Sequence, residues 1–195
     1  VEGKDDCHVC WALLKHHGVP DTFEVKDKDG YESLREALPV YLKSGYETLG
    51  FVVDADFDLA ARWQALADVA RTAGYRDVPD APDAAGTILH HPTRPRLGFW
   101  LMPDNTLPGM LEHFLAMLIP DGDGLWPRTQ QAIAGLPAAE RRFIDAHQPK
   151  AEIHTWLAWQ QQPGQPFGIA ITCRALDAGR PQAQIFVDWI RRLFG

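Results

Sequence analysis

The stretch "GFVVDADFD" (residues 50–58) is the most informative part of the sequence for the fold class, because an apolar run leads directly into three aspartates at alternating positions. The apolar half has the composition of a strand buried on both faces, as strands of parallel sheets are. Side chains two apart in a strand point the same way, so the pattern predicts that Asp54, Asp56 and Asp58 lie side by side. Neighbouring like charges raise one another's pKa and destabilise the fold. A bound cation, backbone N–H donors or solvent must offset that repulsion.

Strand and helix patterns alternate on both sides of this stretch. Such alternation predicts an α/β fold, a mostly parallel sheet with helices on both faces. Asp5 or Asp6 is the expected cap of the first helix, and Pro39 is expected to kink or break the second. Strands are predicted over 22–27, 49–57, 87–91 and 97–102, and helices over 7–18, 31–45, 59–73 and 108–118.

The chain is predicted to fold as one domain with two regions. Residues 1–120 form the α/β core, and residues 121–195 form a helical region packed on it. Val1 and Glu2 are expected to end a first strand that is truncated here, because Gly3 and a helix pattern follow at once. Helices in the second region are predicted over 127–136, 138–147, 150–161 and 181–194.

Composition and net charge exclude some of the functions that the protein could have. The net charge of −7 over 195 residues argues against a protein that binds nucleic acid through a broad basic surface. It does not exclude an enzyme that meets phosphates through bound metal ions. No apolar run reaches the roughly 18 residues of a membrane span, and no signal peptide opens the chain, so a cytoplasmic protein is expected.

The Cys7–Cys10 pair has the C-x-x-C spacing of zinc and redox sites. A structural zinc takes four ligands, and Cys173 is the only further cysteine. Cys7, Cys10, Trp11 and Leu14 fall at the spacing of one buried helix face. Core packing is therefore the favoured interpretation of both cysteines.

Acidic residues follow three of the predicted strands. Ligands of open parallel sheets lie at the carboxyl ends of the strands, where these acids are expected to meet. A cage of carboxylate oxygens suits Mg²⁺ or Mn²⁺. Asp58 has the alternative role of capping the next helix, and Glu112 that of a solvated helix acid. The candidate ligands are Glu2, Asp54, Asp56 and Asp58, with Asp104 and Glu112 as further acids.

The ordered segments "VEGKDD", "GFVVDADFD", "LGFWLMPDN", "GMLEHFL" and "KAEIHTWLAWQ" carry a family resemblance. Glu-Gly followed by acids, and Asp-x-Asp at a later strand end, look like the TOPRIM domain of topoisomerases, primases and nucleases. The whole set resembles uncharacterised bacterial TOPRIM-like proteins related to the nuclease domain of OLD (overcoming lysogenization defect) enzymes. The resemblance implies a Rossmann-like TOPRIM fold.

The same resemblance implies a metal-dependent phosphodiester hydrolase. Its Mg²⁺ or Mn²⁺ ions would serve a nuclease acting on DNA, in anti-phage defence beside an ATPase partner. Glu2 matches the glutamate that binds metal or acts as general acid/base, and Lys150 matches a lysine near the scissile phosphate. Asp54 and Asp56 match the metal-binding pair, supported by Asp58, and Asp6 matches the acid after Glu-Gly.

The chain also departs from that pattern. "MPDNTLPG" (residues 102–109) stands where OLD nucleases have a small Ser/Gly motif, and no G-x-x-x-x-G-K-[ST] motif is present. A non-catalytic binding or regulatory subunit of a larger complex therefore stays open as the alternative, either as a monomer or as an oligomer. Arg96 is a second candidate, beside Lys150, for contacting a phosphate.

Overall fold

A three-stranded sheet forms the centre of the protein in a computed structural model that describes all residues, Val1–Gly195. The strands are β1 (Thr48–Asp54), β2 (Thr87–Leu89) and β3 (Arg96–Met102), in the spatial order β1-β3-β2. β1 and β3 are parallel and in register, with Asp54 opposite Met102. β2 is antiparallel to β3. The protein is thus a mixed α/β fold.

Eight α-helices surround this sheet. They are α1 (Lys4–His16), α2 (Tyr31–Tyr41), α3 (Leu59–Thr72), α4 (Leu111–Met117), α5 (Leu125–Ala134), α6 (Gln148–Ala158), α7 (Phe167–Thr172) and α8 (Pro181–Phe194). None of these helices combines the length and the apolar character that crossing a membrane requires.

The two faces of the sheet bury different helices. Val52 and Trp100 point into a large cluster with residues of α1, α4, α6, α7 and α8. Phe51 and Val53 point to the opposite face and pack with residues of α2 and α3. Because side chains alternate along a strand, the continuous apolar run of β1 serves both clusters. Asp54 follows Val52 by two positions and belongs to the face of α1 and α4.

Two glycines let α8 lie close to the sheet. Gly50 of β1 is paired with Gly98 of β3. A Cβ atom would lie 2.9 Å from Leu193 Cδ2 at Gly50 and 2.4 Å from the same atom at Gly98. Because Gly50 and Gly98 have no side chain, α8 can pack closer to the sheet than it could against any other residue at these positions.

The sequence prediction of a mostly parallel sheet is only partly confirmed. β2 runs antiparallel to β3, and only residues 90–95 separate the two strands. A parallel connection needs a crossover of a dozen or more residues, whereas antiparallel neighbours can be joined by a short turn. The length of this connection explains the orientation.

Several element predictions differ from the structure. Residues 22–27 form no regular strand, because they lack a neighbouring strand to pair with. Residues 138–147 are helical only at the short 3-10 turn Asp145–His147. That segment leaves Ile144 64% exposed, and a helix without a buried face is marginal in water. Helix α7 was not predicted.

The cysteines of the C-x-x-C pair are packed in the interior. Cys7 and Cys10 are both buried on α1, as the helix spacing predicted. Burial raises the pKa of the Cys10 thiol, which disfavours the thiolate that redox chemistry and metal binding require. Both side chains therefore serve packing.

Candidate metal centre at the carboxyl end of β1

Glu2 lies directly over the end of β1. Its carboxylate Oε1 accepts a hydrogen bond from the backbone N–H of Asp54 at 2.8 Å. Its backbone carbonyl accepts hydrogen bonds from the N–H groups of Lys28 at 3.4 Å and Gly30 at 2.8 Å. Glu2 and Asp54 are 52 positions apart in the chain. Their hydrogen bond fixes Glu2 against the end of β1, the strand that carries Asp54.

Asp54 ends β1 and faces the beginning of α4. Its Oδ1 accepts a hydrogen bond from the backbone N–H of Leu111 at 3.0 Å. The strand, the N-terminal segment and α4 therefore meet at Asp54, the first two through its backbone N–H and the last through its carboxylate. The sequence prediction that strand-end acids come together is met by Glu2 and Asp54.

Asp6 is a third acid beside this pair and is only 8% exposed. It was predicted as a helix cap, but Gly3 occupies the N-cap position of α1. Asp6 Oδ2 accepts a hydrogen bond from the Gly3 N–H at 3.1 Å, the reciprocal contact of a capping box. This contact ties the Asp6 carboxylate to the turn that follows Glu2.

Glu112 and Lys150 complete the group. The Glu112 side chain is buried on α4, although the sequence favoured a solvated helix acid. Lys150 Nζ lies 3.6 Å from Glu112 Oε1, and half of the Lys150 side chain is exposed. An exposed cation thus reaches toward a buried carboxylate from the surface of α6.

Burial dominates the electrostatics of the acids. It raises the pKa of Glu2 to about 7, although the hydrogen bond from the Asp54 N–H acts in the opposite direction. Burial likewise raises the pKa of Asp6 to about 6. The pKa of Asp54 rises to about 8 through burial and then through repulsion by Glu2, Asp6 and Glu112. We refer to Glu2, Asp6, Asp54 and Glu112 as the acid cluster.

Asp56 does not lie beside Asp54, contrary to the alternation expected from the sequence. β1 ends at Asp54, and Asp56 adopts a left-handed backbone conformation with φ of 53°. The Asp56 carboxylate forms an ion pair with Arg62, whose guanidinium lies 3.4 Å from the centre of the Tyr31 ring. Arg62 lies on the first turn of α3, six positions after Asp56, and no sequence motif indicated its role.

Asp58 and Asp104 hold local turns. Asp58 caps α3, with its Oδ1 accepting a hydrogen bond from the Ala61 N–H at 2.9 Å. Asp104 Oδ1 accepts hydrogen bonds from the N–H groups of Thr106 and Leu107, both at 2.9 Å. Neither carboxylate joins the acid cluster.

Arg96 lies at the other end of the sheet. It begins β3, whereas the acid cluster lies where β1 and β3 end. Its guanidinium donates hydrogen bonds to the carbonyls of Leu193 at 3.1 Å and Gly195 at 3.3 Å. Arg96 therefore holds the end of α8, and its expected role at a phosphate is wrong.

The acid cluster suits a divalent metal in its donor atoms but not in its present side-chain arrangement. All of its donors are carboxylate oxygens, which Mg²⁺ and Mn²⁺ prefer. No three His, Cys, Asp or Glu side chains converge in ligating geometry. Binding an ion here therefore requires rotation of the carboxylates, three of which are held by backbone N–H groups.

The family model described as "Protein of unknown function (DUF3226)" matches the whole chain, residues 1–195, and the chain belongs to that family. No curated protein and no solved structure matches it.

Proposed function

We propose that this family member is a metal-dependent phosphodiester hydrolase, a TOPRIM-type nuclease that acts on DNA with Mg²⁺ or Mn²⁺. The hydrogen bond between the Glu2 carboxylate and the Asp54 N–H carries the proposal, because it joins the Glu-Gly and Asp-x-Asp segments at one end of the sheet. These are the two segments on which the TOPRIM resemblance depends. The buried carboxyls of Asp6 and Glu112 beside them support it.

The acid cluster is the metal-binding part of this proposal. Asp54 and Glu2 would hold the ion, and Asp6 and Glu112 are close enough to the pair to raise the pKa of Asp54. When bound, the ion supplies a hydroxide-like water and neutralises charge on a phosphoryl oxygen. The same positive charge offsets the repulsion among the carboxylates.

Two residues have further roles at the phosphate. Without a bound ion the pKa of Glu2 is about 7, a value that suits general acid or base chemistry as its alternative role to holding the ion. Lys150 has a half-exposed side chain held only by Glu112, so its ammonium group can turn toward a phosphate. Charge that develops on the phosphoryl oxygens would be stabilised there.

Asp56 has a different role in this proposal from Asp54. Its ion pair with Arg62 competes with metal binding, so it would act from the rim of the site. Asp58 and Asp104 have no role at the metal, because their carboxylates hold local turns. A role in anti-phage defence, beside an ATPase partner, is supported by the family resemblance alone.

A non-catalytic regulatory subunit is the second candidate. The absence of a preformed group of three ligands favours it, as does the pairing of Asp56 and Glu112 with cations of the chain itself. In that case the acid cluster would remain partly protonated and would bind metal weakly or not at all.

Calorimetry with Mn²⁺ and a plasmid-nicking assay distinguish the two candidates. Asp54→Asn and Glu2→Gln remove a charge from the acid cluster, and we expect both to abolish Mn²⁺ binding and metal-dependent nicking. Asp58→Asn is the matched control, because it removes a nearby charge while asparagine still caps the helix. Binding without nicking would indicate an enzyme that depends on a partner. Failure of the unaltered protein to bind Mn²⁺ would leave the regulatory subunit as the function.

A further inference from the structure

A cleft lies at the end of the sheet opposite the acid cluster. Its volume is about 700 Å³, within the range of small-molecule sites. Its lining comes from the segment 42–46, which leads from α2 toward β1, and from the segment 91–95, which joins β2 to β3. Gly74, just after α3, lines it as well. The seven residues of β1, about 20 Å of strand, separate this cleft from the acid cluster.

Three basic side chains and no acidic ones line the cleft. They belong to Lys43, His91 and Arg94. None of the three forms an ion pair, although Asp and Glu outnumber Lys and Arg in the chain by 26 to 19. Glu47 follows soon after Lys43 but lines a separate groove beside β1. The cleft is therefore a local concentration of positive charge on an acidic protein, and such a concentration attracts anions.

Arg94 is partly buried and held in place by the chain itself. One of its guanidinium N–H groups donates to the Leu42 carbonyl at 3.5 Å. The other guanidinium donors have no acceptor in the protein. A planar guanidinium recognises phosphate through pairs of N–H donors, which makes it better suited to that anion than a single point charge. Arg94 is thus positioned with donors left over for a ligand.

His91 adds a donor whose orientation is fixed. The Thr93 N–H donates to His91 Nδ1 at 3.1 Å, so Nδ1 is the acceptor of the ring and Nε2 carries the ring proton. The ring also packs against Tyr75, with the ring centres 5.4 Å apart. A Cβ atom at Gly74 would lie 3.4 Å from Nε2, so the missing side chain leaves space beside this donor.

We propose that this cleft binds the phosphate group of a small molecule. Arg94 and Lys43 would supply the positive charge, and His91 Nε2 would donate a further hydrogen bond. Free phosphate and the phosphate of a nucleotide share this chemistry. The ring of Tyr46, 47% exposed in the lining of the cleft, offers a surface on which a base can stack. A small molecule is favoured over a nucleic-acid strand, because a strand is bound along a continuous basic groove and these basic groups are confined to one cleft.

Calorimetry at low ionic strength tests the proposal with inorganic phosphate, AMP and adenosine. EDTA is present throughout, so that the acid cluster cannot hold a phosphate through a divalent ion. We expect phosphate and AMP to bind and adenosine to bind at least tenfold more weakly than AMP. Lys43→Gln and Arg94→Gln should each weaken binding by about tenfold or more, since each removes a hydrogen bond between charged groups. Arg76→Gln is the matched control, because Arg76 is an exposed cation nearby that does not line the cleft.

The same titrations identify the source of the phosphate group. Tighter binding of AMP than of phosphate, with the difference lost in Tyr46→Ala, would identify a nucleotide as the ligand. Equal affinities would identify free phosphate. Lys43 is exposed, so Lys43→Gln is expected to keep the Tm of the unaltered protein and gives a result even if Arg94→Gln is destabilised.

Four results would overturn the proposal. The first is failure of the unaltered protein to bind either phosphate or AMP. The second is unchanged affinity in both Lys43→Gln and Arg94→Gln, which would place the anion elsewhere. Equal weakening in Arg76→Gln would reduce the effect to general attraction by the surface. A single-stranded oligonucleotide that binds more tightly than AMP through Lys43 and Arg94 would assign the cleft to nucleic acid. None of these readouts depends on Mn²⁺ binding or nicking, so the proposal is tested separately from the proposed function.

Discussion

The N–H group of Asp54 and the carboxylate of Glu2 are joined at 2.8 Å, so one acid of the cluster is held by the backbone of another. This hydrogen bond stabilises the charged form of Glu2, yet the pKa of Glu2 is still about 7. Burial therefore outweighs the hydrogen bond. Without a cation, the acid cluster is more stable when it holds protons than when it is fully charged.

Stability in the absence of divalent cations should fall as the pH rises. The pKa of Asp54 is raised from 3.8 to about 8, so the folded state keeps a proton that the unfolded chain loses. The stabilisation is complete below about pH 4 and is lost as the pH rises through about 8. We expect Tm to fall over this interval and Asp54→Asn to reduce the fall, as measured by thermal unfolding at a series of pH values. Parallel curves for the two proteins would contradict the raised pKa.

Lys150→Gln should separate metal binding from catalysis. The ammonium group lies 3.6 Å from Glu112, and its loss leaves the acid cluster without this nearby positive charge. We expect nicking to fall by about tenfold or more while Mn²⁺ binding in calorimetry is retained. Lys15→Gln on the exposed side of α1 is the control. Loss of Mn²⁺ binding in Lys150→Gln would instead show that the lysine organises the metal site.

Asp58→Ala should affect stability and not metal binding. Asp58 caps α3 through the Ala61 N–H, and loss of an N-cap costs about 1 kcal/mol. We expect a lower free energy of unfolding in urea for Asp58→Ala and a nearly unchanged value for Asp58→Asn. Weaker Mn²⁺ binding by both variants would restore Asp58 to the metal-binding group.

Gly98→Ala should destabilise the protein by about 1–3 kcal/mol, because the new methyl group would overlap Leu193 and crowd Trp189. Gly124→Ala is the comparison, since a Cβ atom there meets no neighbour within 4 Å. The free energies of unfolding of the two variants in urea measure the difference. Equal values would show that α8 moves away from the sheet at little cost.

The elements that the sequence predicted best have a periodic apolar pattern and a buried face. β3 was predicted over 97–102, and α8 was predicted over 181–194, where the structure has Pro181–Phe194. Orientation of β2 was harder to predict, because its apolar pattern carries no information on direction. The length of the connection to β3 contained that information.

Within the candidate site, the sequence indicated which acids end strands but not where each carboxylate points. Asp54 and Asp56 look equivalent in "DAD", yet the left-handed backbone at Asp56 directs it to Arg62. That conformation depends on the bond from the Asp56 N–H to the Gly109 carbonyl, a contact between distant segments. Long-range contacts of this kind are not visible in local patterns.

The shortness of β2 affects how the protein associates with itself. An exposed strand edge is a template for pairing between molecules, and short edge strands reduce that hazard. β2 has only three residues, whereas β1 has seven and borders the sheet on the opposite side. Intermolecular β-pairing, and any aggregate that grows from it, is therefore expected to begin along β1.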